Sequence, residues 1–343
     1  MNLNWSLLIL IALCLNVWAC DQAESEPPGL RFLVTADPQY RIDEIDPDKG
    51  SAINADYIAA KIKDMILNDG YKGLILAGDL THFAKPEELF RYQQSIEGFE
   101  AYVFDGIGNH DYEFVKEGDS VEIGIEGFGL ADVLPDLTRD WNDDTYRVWE
   151  TVRSRERITP INTSYPNLHY SWDWEDIHFV QLNLFPGDEP VNESTVHNPL
   201  KALSFLQADL QQHVGNSGRP VILVQHYGFD DFSLGVDSEG NINPKGQWWS
   251  PEQRSTFWEA IEPYNIVVIF SGHAHSCRPV CYLPWDGENI GEEEVGEEFI
   301  PSFIAGASRE GYYIECEVNE TELTVKRFKR EELLMEKTLP LYR

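Results

Sequence analysis

The sequence predicts an α/β protein built around a largely parallel β-sheet. Short apolar segments at residues 30–36, 74–77 and 101–104 have the length and composition of buried strands. Residues 51–68 carry apolar side chains at helical spacing, and Pro86 stands in the first turn of a second predicted helix. Strands and helices that alternate on this scale indicate βαβ units, and therefore parallel strands.

The second half of the chain continues the pattern after a hairpin. Two segments, at residues 170–174 and 177–182, predict antiparallel strands that turn at Glu175-Asp176. The further predicted elements are helices at 200–213 and 251–261 and strands at 221–224, 266–270, near 303, at 312–318 and at 323–328. We expect one domain over residues 30–330, with an insertion at 112–168 and a C-terminal tail at 331–343.

The composition indicates a packed, strongly acidic protein. Hydrophobic residues form 42% of the 343 residues, which supports a large core. Lys and Arg number 26 against 59 Asp and Glu, giving a formal net charge of −33. Nucleic-acid binding requires clustered basic side chains, so no nucleic-acid partner is expected.

The first twenty residues contain no charged side chain, and residues 7–15 are almost wholly apolar. This length suits a signal peptide over residues 1–20 better than a membrane span. Ala19-Cys20 resembles the end of a bacterial lipoprotein signal, with residues 21–29 as a tether. We expect export to the periplasm or outer surface, with membrane contact only through a lipid on Cys20. A plain secretory signal and a membrane-tethered N-terminus are the alternatives, and the pairing of Cys277, Cys281 and Cys316 is left open.

Side chains of the kinds that bind metal ions follow five of the predicted strands. In chain order they are Asp37, Gln39, Asp79, Asn109, His226, His273 and His275. Because the carboxyl ends of parallel strands share one edge of a sheet, these side chains are expected to meet there. Oxygen and imidazole donors suit manganese, iron or zinc. A pair of such ions roughly 3.5–4 Å apart would clamp a phosphate and convert a bound water to hydroxide, with Asp79 best placed to bridge them.

These motifs together resemble the calcineurin-like metallophosphoesterase superfamily over about residues 30–330. They are Asp37-x-Gln39, Gly78-Asp79, Gly108-Asn109-His110-Asp111, His226 and Gly272-His273-x-His275. The resemblance implies a metallophosphatase fold, a four-layer αββα sandwich of two mixed β-sheets flanked by helices.

The same resemblance implies roles for the motif residues. One metal ion would be held by Asp37, Gln39, Asp79 and His275, and a second by Asp79, Asn109, His226 and His273. His110 would act as the acid toward the leaving oxygen and bind phosphate, and Asp111 would orient its imidazole ring. Most members carry His where Gln39 stands, and Asp-Pro-Gln is similar to a serine/threonine-phosphatase-like branch. The candidates for substrate contact are Asn109, His110, Tyr40, His82, Tyr227 and Arg309.

The expected function is therefore hydrolysis of a phosphoric ester, by a phosphatase or phosphodiesterase, with two divalent or trivalent ions (Mn, Fe or Zn). The substrate would be a small phosphorylated molecule or a phosphoprotein. One alternative is an exported lipoprotein of the same fold that binds a phosphorylated ligand or metal without turnover. Another, a glycosidase-like carboxylate pair, would leave the histidine motifs unexplained. The substrate, the preference for mono- or diesters, the native metals and the oligomeric state are not determined by the sequence.

Overall fold

The protein is described by a computed structural model over residues 29–41, 51–82, 86–111, 162–163, 169–188, 201–235, 248–276, 278–284 and 299–342. The expected signal peptide, nearly all of the tether, most of the 112–168 insertion and Cys277 lie outside these ranges. No helix within them combines the length and the apolar character needed to cross a bilayer.

Four of the five α-helices in the described ranges agree with the predicted positions, and the short helix Asp231–Leu234 was not predicted. The five helices are α1 (Ser51–Asn68), α2 (Pro86–Ser95), α3 (Ala202–Asp209), α4 (Asp231–Leu234) and α5 (Pro251–Ile261). The helix predicted at 200–213 is α3 followed by a π-helical segment, Leu210–Val214, which ends at Gly215 with a φ of 52°. Ser250 caps α5 because its hydroxyl accepts from the Gln253 backbone while the Gln253 side chain accepts from the Ser250 backbone.

The described strands form two mixed sheets, as the fold class predicted. The first sheet has the spatial order β13 (Glu332–Pro340), β12 (Glu322–Lys329), β11 (Tyr312–Val318), β1 (Arg31–Thr35), β2 (Leu74–Leu76), β3 (Val103–Phe104). The second has the order β4 (Asn162–Thr163), β5 (Tyr170–Trp174), β6 (Ile177–Gln181), β7 (Val221–Val224), β8 (Ile266–Ser271), β10 (Ile300–Ile304), β9 (Cys281–Leu283). The parallel neighbours are β1, β2 and β3 in one sheet and β6, β7, β8 and β10 in the other.

Alternate residues of the strands belong to two separate cores. Phe32 on β1 packs with Phe179 on β6, the ring centroids being 5.3 Å apart, in the core between the sheets. The adjacent Leu33 belongs to the other core, together with Ile58 and Ile62 of α1. This two-residue alternation follows from the pleat of a strand. It produces two sheets packed face to face with helices outside, and it confirms the predicted sandwich.

Residues 332–340 correct the expected C-terminal tail, because they form β13. This strand pairs antiparallel with β12 over its length, from Glu332↔Lys329 to Pro340↔Glu322. Leu339 is buried, whereas most of the strand, including Glu332 and Glu336, faces solvent. The charged side chains suggest a tail, but they also suit an edge strand, where charge discourages pairing with other chains. The domain therefore extends to at least Pro340.

A buried polar network fixes the hairpin of β5 and β6 to the end of α3. The two ring nitrogens of His178 lie 2.7 Å from carboxylate oxygens of Asp173 and Asp209. Ser171 donates to Asp209 at 2.6 Å, and Arg219 donates to Asp173 at 3.1 Å. Burial by itself would lower the pKa of His178, but the hydrogen bonds to Asp173 and Asp209 raise it above its ordinary value.

Replacing this imidazole is predicted to destabilise the fold in a pH-dependent way. His178→Gln should lower the free energy of unfolding by about 3 kcal/mol, since it removes the cation that pairs with the buried Asp209 carboxylate, whereas Asp173 keeps Arg219. The folded-state pKa is raised, so this stabilisation is complete below the ordinary pKa of 6.5 and is lost as the pH rises through the folded-state value. Denaturant titrations of both proteins at several pH values measure the difference. His213→Gln, which changes an exposed neighbour, is the control and should alter stability by less than about 0.5 kcal/mol. A difference that stays constant as the pH rises would contradict this assignment.

Candidate metal centre

The carboxyl ends of strands from both sheets meet at one buried cluster of ligand-type side chains. The Oδ1 atom of Asp79, after β2, lies 3.3 Å from Nε2 of His226, after β7. The same His226 nitrogen lies 3.0 Å from Oδ1 of Asn109, after β3. Asp37, after β1, accepts from the backbone N–H of His273 at 3.1 Å and lies 3.7 Å from Nε2 of His275, both after β8. The structure thus brings together all five predicted motifs.

Four of the predicted ligands have an unusual left-handed backbone. The φ angles are 50° at Asp37, 40° at Gln39, 56° at Asp79 and 69° at His273. Residues with a Cβ adopt this region rarely and at a cost of about 1 kcal/mol each or more. Such a concentration of strained residues where the motifs meet indicates that the surrounding structure holds these side chains in place for function.

Two glycines allow the strand ends to approach. A Cβ atom at residue 108 would lie 2.1 Å from Oδ1 of Asp79, and one at residue 78 would lie 2.5 Å from Nδ1 of His226. Gly78 also has a φ of 93°, as a sharp turn requires. Gly108 is needed because the Asp79 carboxylate occupies the space where a side chain at residue 108 would be.

The donor atoms fit a pair of metal ions. One ligand atom each from Asp37, Asp79 and His275 lies within 4.8 Å of the others. Asp79, Asn109 and His226 form a second group around the same carboxylate. The Nε2 atom of His273 is buried and has no hydrogen-bond partner, as expected of a nitrogen kept for a cation.

Backbone contacts select the ligand-competent form of His226. Its Nδ1 lies 2.8 Å from the carbonyl oxygen of Ala77, which can only accept, so Nδ1 carries the proton. Nε2 then faces Asp79 and Asn109, and a metal ion bound there would take the place of the second ring proton. This carbonyl–imidazole arrangement is the usual way in which proteins orient a metal-binding histidine.

The electrostatics of the cluster favour a bound cation. Burial raises the pKa of Asp37 well above its ordinary value, and the Asp79 charge raises it further. Burial by itself lowers the pKa of His226, but the Asp79 and Asp37 charges raise it to about 9. Burial lowers the pKa of His275 to about 4, so that ring is neutral near pH 7. Two buried carboxylates that attract positive charge, beside a neutral imidazole, form a suitable environment for metal ions.

His110 is oriented by a backbone carbonyl, which corrects the predicted role of Asp111. The Nδ1 of His110 lies 2.8 Å from the His82 carbonyl, and the His82 and His110 rings stack with centroids 4.9 Å apart. The Asp111 oxygens accept instead from the backbone N–H groups of Gly108, Leu80 and Thr81 and from the Thr81 hydroxyl, at 2.7–3.1 Å. Consecutive residues of the turn at Asn109–Asp111 point in different directions, so Asp111 fixes the backbone around Asp79 rather than the imidazole.

The two tyrosines predicted to contact substrate are both buried, and the predicted ligand Gln39 contacts Asp79 and Arg309. Tyr40 is buried, donates to Asp56 at 3.1 Å and therefore belongs to the core rather than to a substrate pocket. Tyr227 is also buried, with its ring centroid 4.7 Å from that of His273, so it packs against this predicted ligand. Gln39 lies between Asp79 and Arg309, with its oxygen facing the latter.

Sequence reasoning missed Asn183, which holds the motif loops together. Its side-chain oxygen accepts from the Ile107 backbone at 2.9 Å, and its carbonyl accepts from the His226 backbone at 2.6 Å. Asn183 is buried and has a φ of 60°. It follows the strand predicted at 177–182, so the strand-end rule that identified the ligands, applied to this strand, would have found it.

Two aromatic side chains that were not among the predicted site residues also lie beside the metal-ligand cluster. The rings of Phe232 and Trp248 have centroids 4.9 Å and 4.6 Å from that of His273. Phe232 is exposed, so an apolar surface lies beside the metal-ligand cluster.

The two mixed sheets and the buried cluster of ligand-type side chains agree with the metallophosphatase fold. Residues 30–277 match the family model described as calcineurin-like phosphoesterase, and the chain belongs to this family. A search of curated protein sequences found no match.

Solved structures that match the chain with low identity come from several organisms. GAP50, the anchor in the inner membrane complex of Plasmodium, is 11% identical with a TM-score of 0.49, and the match covers 92% of this chain and 90% of that one. An uncharacterised predicted phosphoesterase of Streptococcus pneumoniae TIGR4 is 9% identical with a TM-score of 0.34, covering 92% and 99%. The sulfate thiohydrolase SoxB of Thermus thermophilus is 10% identical with a TM-score of 0.36, covering 84% and 42%. The family assignment therefore depends on the family model.

Filling the space at residue 108 is predicted to disrupt the metal centre. In Gly108→Ala the new Cβ must displace the Asp79 carboxylate, so we expect manganese affinity to fall by at least about 10-fold. Calorimetric titration of Mn²⁺ into metal-stripped protein measures this. Gly70→Ala is the control, because nothing lies within 4 Å of a Cβ added at residue 70, and its φ of 80° means that it also reports any effect of backbone strain alone. Equal manganese affinity in the two variants would show that the contact between residues 108 and 79 is unimportant.

Proposed function

We propose that the chain is a phosphatase or phosphodiesterase that hydrolyses its phosphoric ester at a two-metal site. The observation that supports this most directly is the shared position of Asp79 in two ligand groups. One group contains Asp37 and His275. The other contains Asn109 and His226, with the unpartnered His273 nitrogen nearby.

In this proposal Asp37, Asp79 and His275 hold one ion, and Asp79, Asn109, His226 and His273 hold the other. When bound, two ions there would supply positive charge toward the phosphate and acidify a water molecule, and hydrolysis would proceed without a covalent enzyme intermediate. Manganese, iron and zinc all suit the oxygen and imidazole donors.

We propose that His110 handles the proton of the leaving group. Because the His82 carbonyl accepts from Nδ1, the other nitrogen, Nε2, faces the cluster, 4.0 Å from Oδ2 of Asp79. The His110 side chain is about one-fifth exposed, so its ring borders both the cluster and solvent. A protonated ring there would donate to the leaving oxygen of the ester. The stacked His82 ring limits rotation of the imidazole away from this position.

The charge of the chain favours compact substrates. At −33 the protein repels extended polyanions, whose neighbouring phosphates would approach the acidic surface. A small phosphorylated molecule, or a single phosphorylated side chain on a protein, brings one anionic group to the site. We therefore propose these as substrates.

Removing a ligand is predicted to abolish turnover. Asp79→Asn and His226→Ala should each reduce kcat/KM on a chromogenic phosphate ester with Mn²⁺ by more than about 100-fold, because each leaves an ion incompletely held. Asp69→Asn, which removes an exposed carboxylate outside the cluster, should retain wild-type activity. Near-normal turnover in both ligand variants would refute the proposed site. A wild-type protein that binds manganese but is inactive on a broad panel of phosphate esters would instead favour a binding function.

Removal of metal is predicted to lower stability as well as activity. Chelation should leave the two carboxylates and the imidazoles without their cation, so both phosphatase activity and thermal stability should fall and return on adding Mn²⁺. At an ion concentration of 100 times the dissociation constant, one binding site stabilises the folded state by about 2.7 kcal/mol. Scanning calorimetry with and without chelator measures the shift, and His226→Ala serves as the control because its midpoint should respond less to Mn²⁺. Activity that survives exhaustive chelation would contradict the metal-dependent mechanism.

A further inference from the structure

The amide of Gln39 connects the metal-ligand cluster to a guanidinium group. Its Nε2 donates to Oδ2 of Asp79 at 2.8 Å, and its Oε1 accepts from Nη1 of Arg309 at 2.6 Å. Gln39 is buried, and its φ of 40° shows that the backbone is held in a strained conformation to present this amide. Both ends of the amide are therefore engaged.

The chemistry of the two neighbours fixes the orientation of the amide. A guanidinium can only donate, so the atom facing Arg309 is the oxygen. The carboxylate of Asp79 accepts, so the atom facing it is the nitrogen. An amide nitrogen is not a metal ligand, and the oxygen already accepts from a positive group. A cation on that oxygen would stand about 4 Å from the guanidinium, which repels it.

Arg309 is anchored so that its side chain reaches the site. It lies in the turn Ser308–Glu310 after β10, where its backbone N–H contacts the Asp37 carbonyl at 3.5 Å and its carbonyl accepts from Asn54 on α1 at 3.0 Å. Arg309 is partly exposed.

We propose that Gln39 is a positioning residue rather than a metal ligand, and that it holds Arg309 where the guanidinium binds a non-bridging oxygen of the substrate phosphate. The first ion would then be held by Asp37, Asp79 and His275 alone. Arginine suits this task because its planar N–H groups match two phosphate oxygens. This inference rests on the proposed function, since it assigns the phosphate to the same cluster.

A purely structural role for the pair is the competing explanation. Arg309 joins the turn after β10 to the segment after β1, and such a link could serve only to hold the turn in place. The two explanations differ in what happens to phosphate affinity when either side chain is shortened.

A double-mutant cycle on inorganic phosphate binding tests the proposal. Wild type, Gln39→Ala, Arg309→Gln and the double variant are saturated with Mn²⁺, and phosphate is titrated calorimetrically. Arg309→Gln should weaken phosphate binding by about 10-fold or more, the usual effect of losing a charge-assisted hydrogen bond. Gln39→Ala should weaken it nearly as much, and the double variant should bind no more weakly than Arg309→Gln, because both changes remove one interaction. All four proteins should bind the same number of Mn²⁺ ions per chain.

Controls separate this effect from charge loss and misfolding. Arg219→Gln removes the same charge at a remote position, beside Asp173, and should leave phosphate affinity unchanged. Arg309→Lys keeps the charge but not the planar donors and should recover only part of the affinity. Should Gln39→Ala fail to fold, the arginine variants alone decide the phosphate-binding role, and Gln39→Leu, which keeps most of the side-chain volume but offers Arg309 no acceptor, replaces it in the cycle.

Three results would overturn the proposal. They are unchanged phosphate affinity in Arg309→Gln, independent and multiplicative effects of the two substitutions, and loss of one Mn²⁺ per chain in the Gln39 variant. Phosphate and metal binding are read without turnover, so a protein that hydrolyses no ester would refute the proposed function and still report on this pair.

Discussion

The structure of the site depends on one buried carboxylate, that of Asp79. Its oxygens accept from Gln39 at 2.8 Å and from the His110 backbone at 2.9 Å, and one lies 3.3 Å from His226. These partners come from three other strand ends, so the charge holds the β1, β3 and β7 loops to the loop after β2. Burying a carboxylate is costly unless it is paired. Burial would raise the pKa of Asp79, but the neighbouring His226 and His110 charges hold it well below its ordinary value, so it remains an anion.

The sandwich core makes this convergence rigid. Asp79 follows a strand of the first sheet and His226 follows a strand of the second, so their separation is set by how the two sheets pack. Rings such as Trp172 and Phe179, stacked at 5.2 Å, fill the space between the sheets. At the site edge the segments after β2 and β8 approach each other closely, since a Cβ at Gly272 would lie 2.7 Å from the Ala77 carbonyl. A close-packed interior transmits small volume changes, so substitutions far from the metal ligands can still move them.

The spacing of apolar residues predicted most of the helices and strands, and the polar residues that follow the strands predicted which motifs meet. Both signals are local properties of the chain. The details that the sequence did not reveal depend on the direction in which a side chain points rather than on its position in the chain. Asp111 follows His110 directly, yet its carboxylate turns toward Gly108 and Thr81 because consecutive residues of a tight turn diverge. Tyr40 follows a ligand motif, yet its ring points into the core against that of Tyr92, 6.4 Å away. The β13 strand was missed for a related reason, since a charged edge strand and a charged tail have the same composition.

The charge balance of the site explains why a neutral amide suits residue 39. Two carboxylates, Asp37 and Asp79, opposite two divalent ions would leave a local charge of about +2, and Arg309 would raise it to about +3. A phosphate monoester, carrying up to two negative charges, is attracted to such a centre even within a chain of −33. A histidine at residue 39 would give the first ion another ligand but would offer no oxygen to hold the guanidinium. The oxygen of the Gln39 amide instead accepts from Arg309, and its nitrogen donates to the Asp79 carboxylate. A single neutral side chain thus links the proposed phosphate-binding guanidinium to the carboxylate of the metal-ligand cluster.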